Sequence, residues 1–396
     1  MNTSGFPVHF FLLYVLYYSG QAIYSAYFNL YLSGIGFSNT MIGLTVSLST
    51  LLLLMVQPFW GIISDRAKNK NSVLKILFLF SGLSAMMYYL SADYFYVIII
   101  SLVFTMFYAA LTPLQDNITL EYLKDKKWDF GKIRMGGTIG YAVAVAAAGI
   151  MIKSRYSSIF WLISLFLLLC FALMYIIPPV PGYRTRTEKA SFSEILKNRM
   201  LMVLIGFNLV NSLGLSFFYT YYPVYFESSI GGDSSIIGVL MFTCAIAEIP
   251  FMLIIDNISR RFGIIKLLIA AAAVSGLRWF LMYLLTSPVL IVLANLLHGF
   301  SFTCFTYCIL TYISENVPKS LRAAGQTFNT MVTAFFSKVI FGFLGGVASD
   351  IFGINRIMLV SSVISFLSAI VFGFWLIKLS KGNEAGAEAC LRAGER

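Results

Sequence analysis

Long apolar stretches alternate with short polar connections along the whole chain. A helix needs about 20 apolar residues to cross the hydrocarbon core of a bilayer. Twelve stretches reach that length, at about 7–33, 38–64, 72–91, 94–122, 131–152, 156–178, 199–226, 235–257, 263–286, 288–314, 321–349 and 353–379. The pattern predicts an all-α polytopic membrane protein with twelve transmembrane helices.

The composition agrees with this prediction. The sequence is 59% hydrophobic and 11% charged, with a mean hydropathy of +0.83, which lies outside the range of soluble domains. The first apolar segment has neither a basic leader nor a small-residue cleavage site, so we expect it to stay as the first transmembrane helix. The five cysteines are an odd number, and four of them fall within predicted helices, so no disulfide framework is expected.

The positive charges fall mainly on one side of the predicted membrane. The net charge is +11, but the Lys and Arg residues concentrate after predicted helices 2, 4, 6, 8, 10 and 12. Lys153, Arg155 and Arg356 are the exceptions on the other side. By the positive-inside rule, both termini face the cytoplasm, and we expect a multi-pass protein of the cell membrane, with a bacterial inner membrane as the first choice. This placement argues against a nucleic-acid partner and leaves membrane lipid as the surroundings.

The chain divides into two halves of six predicted helices. A polar, proline-opened stretch separates them, and two similar segments, 57–70 and 248–263, each follow the second helix of a half. We therefore predict an N-terminal bundle (1–178), a cytoplasmic linker (179–198), a C-terminal bundle (199–379) and a cytoplasmic tail (380–396). Six-helix repeats of this type are known in secondary transporters, which bind substrate between the halves.

Six ionisable residues interrupt the apolar segments. A charge in the bilayer centre costs several kcal/mol unless it faces a cavity or a partner, so such residues mark solute or proton pathways. They are Asp116, Arg134, Glu248, Arg278, His298 and Lys338. Asp116 and Arg134 are expected at similar depth on antiparallel neighbouring helices, where a guanidinium could bridge a carboxylate and substrate hydroxyls. A purely structural ion pair is the alternative.

The connection after the second predicted helix carries a recognisable motif. Gly61, Asp65 and Arg66, followed by Lys68 and Lys70, resemble the helix 2–3 loop signature of the major facilitator superfamily. The resemblance implies a gating loop that holds the cytoplasmic helix ends together and latches the outward-facing state. Lys68 stands where the family has a second glycine.

Within that superfamily the chain resembles the branch of lactose permease, nucleoside–proton symporters and phenylpropionate permease-like proteins. The segment from Asp129 to Tyr141 is similar to the entrance of helix 5 in these proteins, and Asp116 precedes Arg134 by eighteen residues. The resemblance implies that Asp116 and Arg134 bind a sugar and that Tyr141 stacks on its ring.

In the second half, Glu248, Arg278 and His298 occupy positions similar to those of the permease's glutamate, arginine and histidine. The resemblance implies substrate binding by Asp116, Arg134, Tyr141, Glu248 and His298, and it makes Glu248, His298, Asp116 and Arg278 the proton-coupling candidates. Ser301 replaces the permease's coupling carboxylate and Asn295 replaces a lysine, so the proton site cannot be copied directly.

Lys338 is a possible second charge site, for which three roles stay open. It could pair with Glu248, contact an anionic substrate, or extend its ammonium to the membrane interface.

The function expected from the sequence is secondary active transport. A proton-coupled symporter that imports a sugar or oligosaccharide by alternating access ranks first, followed by a nucleoside–proton symporter, an aromatic carboxylate permease, an uncoupled facilitator and, outside transport, a membrane sensor. With His9 and His298 as the only histidines, we expect no metal site, no enzymatic chemistry and no cofactor beyond the coupling proton. The small-molecule substrate stays unidentified, the direction of transport stays open, and a monomer is the family norm.

Overall fold

The computed structural model describes residues 5–124, 126–152, 155–181, 192–318 and 321–394. This part of the chain contains helices and no strand. Twelve long helices follow in order: α1 (Val8–Gly34), α2 (Asn39–Arg66), α3 (Lys70–Met87), α4 (Tyr94–Leu123), α5 (Phe130–Ile152), α6 (Tyr156–Leu173), α7 (Arg199–Ile230), α8 (Ser234–Phe262), α9 (Ile264–Leu284), α10 (Pro288–Asn316), α11 (Ala324–Phe352) and α12 (Ile354–Gly394). A short helix, Phe192–Lys197, precedes α7.

Ten of these helices, α2 and α4 to α12, are long and apolar enough to cross a membrane. The other two, α1 and α3, are less apolar, since α1 carries tyrosines and amides and α3 begins with Lys70 and Asn71. Both nevertheless pack within the bundle, α1 against α5 and α6, and α3 against α4 and α6. The predicted all-α polytopic fold is confirmed.

Local sequence signals explain where several helices begin and end. Ser38, Asn69 and Asp93 cap the starts of α2, α3 and α4 by accepting backbone N–H groups, as short polar side chains do at helix N-termini. The tight connections between α8 and α9 and between α11 and α12 place Gly263 and Gly353 at φ values of +81° and +84°. Glycine adopts this left-handed region without the steric penalty of a Cβ atom.

Large apolar side chains cover the outer faces of the helices. Met55, Leu253 and Ile370 are 68%, 78% and 68% exposed. Such exposure is costly in water but favourable against lipid tails, so it fits a protein whose outer surface contacts the bilayer.

The helices form two compact units. Unit 1 comprises Met1–Arg186, Tyr219–Ala245 and Lys338–Ile351, and unit 2 comprises Thr187–Phe218, Ile246–Ser337 and Phe352–Arg396. Because unit 1 includes segments of α7, α8 and α11, these units follow spatial packing and not the order of the sequence. The division into bundles 1–178 and 199–379 stays a prediction, and half of the linker, residues 182–191, lies outside the described residues.

Candidate functional site

Two tyrosines of α1 contact Asp116 and Arg134, two of the ionisable residues of unit 1. The Tyr14 hydroxyl donates a 2.6 Å hydrogen bond to Asp116 Oδ1 on α4, and Arg134 Nη2 on α5 donates to the Tyr18 hydroxyl at 3.3 Å. The two tyrosine rings stack with their centroids 6.1 Å apart. The acid and the base therefore belong to one polar cluster organised by α1.

Asp116 and Arg134 do not form the direct ion pair that the sequence suggested. No ion pair within 4.0 Å joins them in the described part of the chain, where each instead contacts a tyrosine hydroxyl. The physical reason is the close packing of α1, which places Tyr14 and Tyr18 beside both groups. Asp116 is half-buried and Arg134 is exposed, so neither residue is fully enclosed in unit 1.

Glycines on α5 make this close packing possible. A Cβ atom at Gly140 would overlap the Val15 carbonyl, and one at Gly137 would lie 2.8 Å from the Tyr18 ring. Small residues let helix backbones approach in this way. Tyr141, the predicted stacking residue, lies on the same helix within hydrogen-bond distance, 3.2 Å, of Ser25 on α1.

A second polar cluster joins three helices of unit 2. His298 Nε2 on α10 lies 3.3 Å from Glu248 Oε1 on α8, and Arg278 Nη1 on α9 lies 2.9 Å from His298 Nδ1. Arg278 and His298 are both 1% exposed, whereas the Glu248 side chain is 22% exposed. The structure thus brings together the three residues that the resemblance grouped, and it leaves the carboxylate as the most accessible of them.

The arginine is held by a residue whose role the sequence did not reveal. Asn295 Oδ1 accepts from Arg278 Nε at 3.0 Å and from Nη2 at 2.6 Å. The rings of Phe218 and Trp279 lie against the guanidinium carbon, with centroids 4.4 Å and 4.5 Å away. In the sequence, Asn295 stood out only because it replaces a lysine of the permease. Its position three residues before His298 was the one sign that it lies near this cluster.

A break in α10 explains the position of Asn295. The helix is interrupted after Ala294 and resumes at Leu297. A similar break interrupts α4 between Tyr108 and Leu111, shortly before Asp116. Asp116 and His298 therefore each follow an irregular turn in their helix, and discontinuous helices are frequent at transporter binding sites.

A cavity of about 170 Å³ adjoins this cluster. Its walls combine amides, hydroxyls and aromatic rings with the imidazole and the guanidinium. They are Asn208, Asn211, Ser212, Leu215, Ser275, Arg278, Trp279, His298, Ser301, Phe302, Phe305 and Thr306. Asn211 Oδ1 and Trp279 Nε1 are buried without a hydrogen-bond partner in the described residues, which is costly unless a solute or water satisfies them.

The predicted gating loop forms an ion network at the junction of α2 and α3. Lys70 Nζ lies 2.8 Å from Glu121 Oε2, 2.8 Å from Asn117 Oδ1 and 3.5 Å from Asp65 Oδ1. Arg66 is exposed, and a Cβ atom at Gly61 would meet nothing within 4 Å. The structure therefore places Asp65 at this network, whereas the gating role of Gly61, Asp65 and Arg66 stays a prediction.

Lys338 lies in a widened helical turn of α11, Phe335–Ile340. Its carbonyl accepts a 3.1 Å hydrogen bond from Ser47 Oγ, and its side chain is exposed. No ion pair of its ammonium occurs among the described residues.

No group of three or more His, Cys, Asp or Glu residues in the described ranges could hold a metal ion.

Comparison with known proteins gives consistent relatives over nearly the whole chain. The profile of the MFS_1 like family matches residues 8–360. The transporter YwbF of Bacillus subtilis is 26% identical over 356 residues, which cover 87% of each chain. The maltose permease of Geobacillus stearothermophilus is 25% identical over 393 residues, which cover 97% of this chain and 96% of the permease.

Solved structures share the same architecture. The nucleoside transporter NupG superposes with a TM-score of 0.83 at 18% identity, covering 96% of this chain and all of the NupG chain. At this level of identity the likeness establishes the fold.

Proposed function

Because the chain belongs to the MFS_1-like family of membrane transporters, we propose that this secondary transporter is a proton-coupled symporter. It imports a small polar organic solute, a sugar or oligosaccharide, by alternating access. The observation that carries the proposal is the Glu248–His298–Arg278 cluster, in which the carboxylate is partly exposed and the other two side chains are buried, beside a cavity lined by amides, hydroxyls and rings.

The lining of the cavity suits a sugar. A sugar ring presents one apolar face and a rim of hydroxyl groups, so it is recognised by an aromatic surface beside polar side chains. Trp279 and Phe302 supply rings, while Asn208, Asn211 and Ser275 supply donors and acceptors. In unit 1, the residues proposed to bind substrate are Asp116, Arg134 and Tyr141.

Proton coupling is assigned first to Glu248. Its carboxyl group is partly exposed and contacts a buried imidazole, so its charge can change as it exchanges a proton with water while the contact with α10 persists. Asp116, His298 and Arg278 are the other members of the coupling set. Uptake of the proton and binding of the solute would together bias the transporter between its two access states.

Nucleosides are the second candidate substrates, since they also join a ring to hydroxyl groups. The putative nucleoside transporter YegT of Escherichia coli is 25% identical over 353 residues. An aromatic carboxylate ranks third, because Arg134 or Arg278 could accept the carboxylate. An uncoupled facilitator and a sensor that binds without transport rank below these three.

The proposed setting is a bacterial inner membrane with both termini in the cytoplasm and the chain acting as a monomer. The uneven distribution of Lys and Arg between alternate connections supports this orientation.

Uptake into proteoliposomes tests the proposal. Radiolabelled sugars, nucleosides and aromatic acids are offered with and without an inward proton gradient to the wild type, Arg134→Ala and Glu248→Gln. We expect gradient-driven accumulation of a sugar by the wild type and its loss in both variants. Arg260→Ala and Glu315→Gln are matched controls, because both side chains are exposed near the ends of α8 and α10.

Each contrary result has a defined meaning. Equilibration that ignores the gradient would identify a facilitator and remove Glu248 from coupling. Accumulation of a nucleoside or an aromatic acid would change the substrate class but keep the symport mechanism. Binding without flux would support a sensor.

A further inference from the structure

The contact between Arg278 and His298 determines which ring nitrogen carries hydrogen. A guanidinium offers only donors, and its Nη1 lies 2.9 Å from His298 Nδ1 with both residues almost fully buried. His298 Nδ1 must therefore accept this hydrogen bond through its lone pair. In a neutral imidazole the hydrogen then sits on Nε2, the atom that faces Glu248 Oε1 at 3.3 Å.

This arrangement depends on how Arg278 is oriented, and the orientation is set by Asn295. The Asn295 amide is completely buried, and its Nδ2 donates to the Ile291 carbonyl at 2.8 Å and lies 3.3 Å from Met282 Sδ. Its Oδ1 is thereby turned toward Arg278 Nε and Nη2. With Nε and Nη2 held in this way, the guanidinium plane is oriented so that Nη1 faces His298 Nδ1.

We propose that Asn295 is a positioning residue that holds Arg278 so that His298 is locked as the neutral tautomer with hydrogen on Nε2. His298 then presents its Nε2 hydrogen toward Glu248 Oε1, 3.3 Å away, and Glu248 is the member of the cluster that exchanges the coupling proton. The assignment of the coupling proton rests on the proposed symport function, whereas the tautomer does not.

The proton balance follows from the contacts. A proton from water on one side forms an O–H bond on a Glu248 carboxylate oxygen, and that same bond breaks when the proton leaves to water on the other side. His298 belongs to the coupling set through its contact with Glu248 and not by exchanging a proton itself, because a second hydrogen on Nδ1 would oppose the Arg278 N–H. Two charged groups among the described residues lie beside the imidazole, Arg278 from α9 and Glu248 from α8, and the ring of Phe302 stacks on it.

The two histidines of the chain make a direct test possible. In a His9→Gln background, ¹⁵N-labelled histidine reports His298 alone, and NMR distinguishes a nitrogen that carries hydrogen from one with a lone pair. We expect the wild type to show hydrogen on Nε2 only, both at neutral pH and at a pH of about 6, where a free imidazole takes up a second proton.

Three variants separate positioning from simple packing. Asn295→Leu keeps a similar side-chain volume but removes the oxygen that accepts from Arg278. Because Arg278 is then no longer held toward His298, we expect mixed tautomers of His298 or a doubly protonated ring at a pH of about 6. Asn295→Asp keeps an acceptor oxygen for the guanidinium and is expected to restore the wild-type spectrum. Asn316→Leu, at the exposed end of the same helix, is the control and should leave the spectrum unchanged.

Several outcomes would overturn the proposal. These are hydrogen on Nδ1 in the wild type, a doubly protonated wild-type ring at a pH of about 6, or an unaltered spectrum in Asn295→Leu. If Asn295→Leu does not fold, the His298 spectra of Asn295→Ala and of the wild type decide whether the proposal holds. The spectra require no substrate, so a failure of the tautomer is distinguishable from a failure of symport in the uptake assay.

Discussion

Asp350 at the end of α11 binds Thr40 at the start of α2. Asp350 Oδ2 accepts hydrogen bonds from the Thr40 backbone N–H at 2.8 Å and from the Thr40 hydroxyl at 2.6 Å. Asp350 Oδ1 accepts from the backbone N–H of Asn39 at 3.0 Å and from its side-chain amide at 2.9 Å. The first turn of a helix has unpaired N–H groups and a partial positive charge, so a carboxylate is favourable there. The contact fastens a segment of the second half of the sequence to the first half within unit 1.

Asp350→Ala is expected to loosen this contact. Loss of a capping side chain costs about 1–2 kcal/mol, so the thermal unfolding temperature in detergent should fall. A cysteine placed at Ser47, which is buried and bonds to the Lys338 carbonyl on α11, should react faster with a maleimide when Asp350 is removed. Asp350→Asn, which retains one acceptor oxygen, should give an intermediate result.

The control for Asp350→Ala is Asp93→Ala. Asp93 caps α4 within its own connection through one hydrogen bond to the Tyr96 N–H, so its removal should lower stability without changing the labelling of position 47. Equal labelling rates in both variants would contradict a role of Asp350 in fastening α11 to α2.

The helices could be predicted from the sequence because each apolar stretch is long enough to cross a bilayer and ends at a polar or capping residue. α1 and α3 were found by length although their polar residues lower their mean hydropathy. The 3.6-residue period does not reveal helix breaks, so the interruptions near Ala109 and Asn295 were not predicted. The widened turn around Lys338 was missed for the same reason.

The site was predictable where a charge stands out in an apolar segment. The resemblance grouped Glu248, Arg278 and His298, and the structure places their side chains together, as expected for ionisable residues in apolar segments, which need partners; their role in transport stays a prediction. Neutral polar partners give no such signal: tyrosines are common in membrane helices, so nothing marked Tyr18 as the contact of Arg134 or Asn295 as that of Arg278. These contacts depend on how closely separate helices pack, which the sequence does not state.

Lys70→Met is expected to destabilise the junction of α2 and α3. The Lys70 ammonium is buried and neutralises Glu121, which would lose its partner in the variant. Removing one member of a buried ion pair costs about 3–5 kcal/mol. Lys68→Met is the matched control, since Lys68 is exposed, and it should leave thermal unfolding unchanged. Equal unfolding temperatures for the two variants would refute the importance of the network.

Gly299→Ala is expected to disrupt the packing of α10 on α8. A Cβ atom at Gly299 would overlap the Ala247 carbonyl, and a backbone atom cannot turn away as a side chain can. Overpacking of this kind costs about 1–3 kcal/mol, so the yield of folded protein and the unfolding temperature should both fall.

Gly325→Ala is the control for Gly299→Ala. At Gly325 a Cβ atom would lie 3.5 Å from Ile313. Gly325→Ala should therefore be neutral or stabilising by up to about 1 kcal/mol. A stable Gly299→Ala protein would show that the two helices can separate at no cost.

Tyr14→Phe and Tyr18→Phe are expected to weaken substrate binding without unfolding the protein. Each removes one hydroxyl, from Asp116 in the first case and from Arg134 in the second, and leaves the stacked rings in place. A hydrogen bond to a charged group contributes about 1.5–3 kcal/mol, and each 1.4 kcal/mol changes an equilibrium constant tenfold. If the tyrosines orient the two charged groups for the solute, KM for uptake should rise about tenfold or more, while the unfolding temperature should fall by no more than the loss of one such hydrogen bond accounts for. Tyr24→Phe on the same helix is the control, because the Tyr24 hydroxyl forms no hydrogen bond in the described structure and its ring packs on Phe28 and Phe104. An unchanged KM in both variants would mean that Asp116 and Arg134 reach the solute independently of α1.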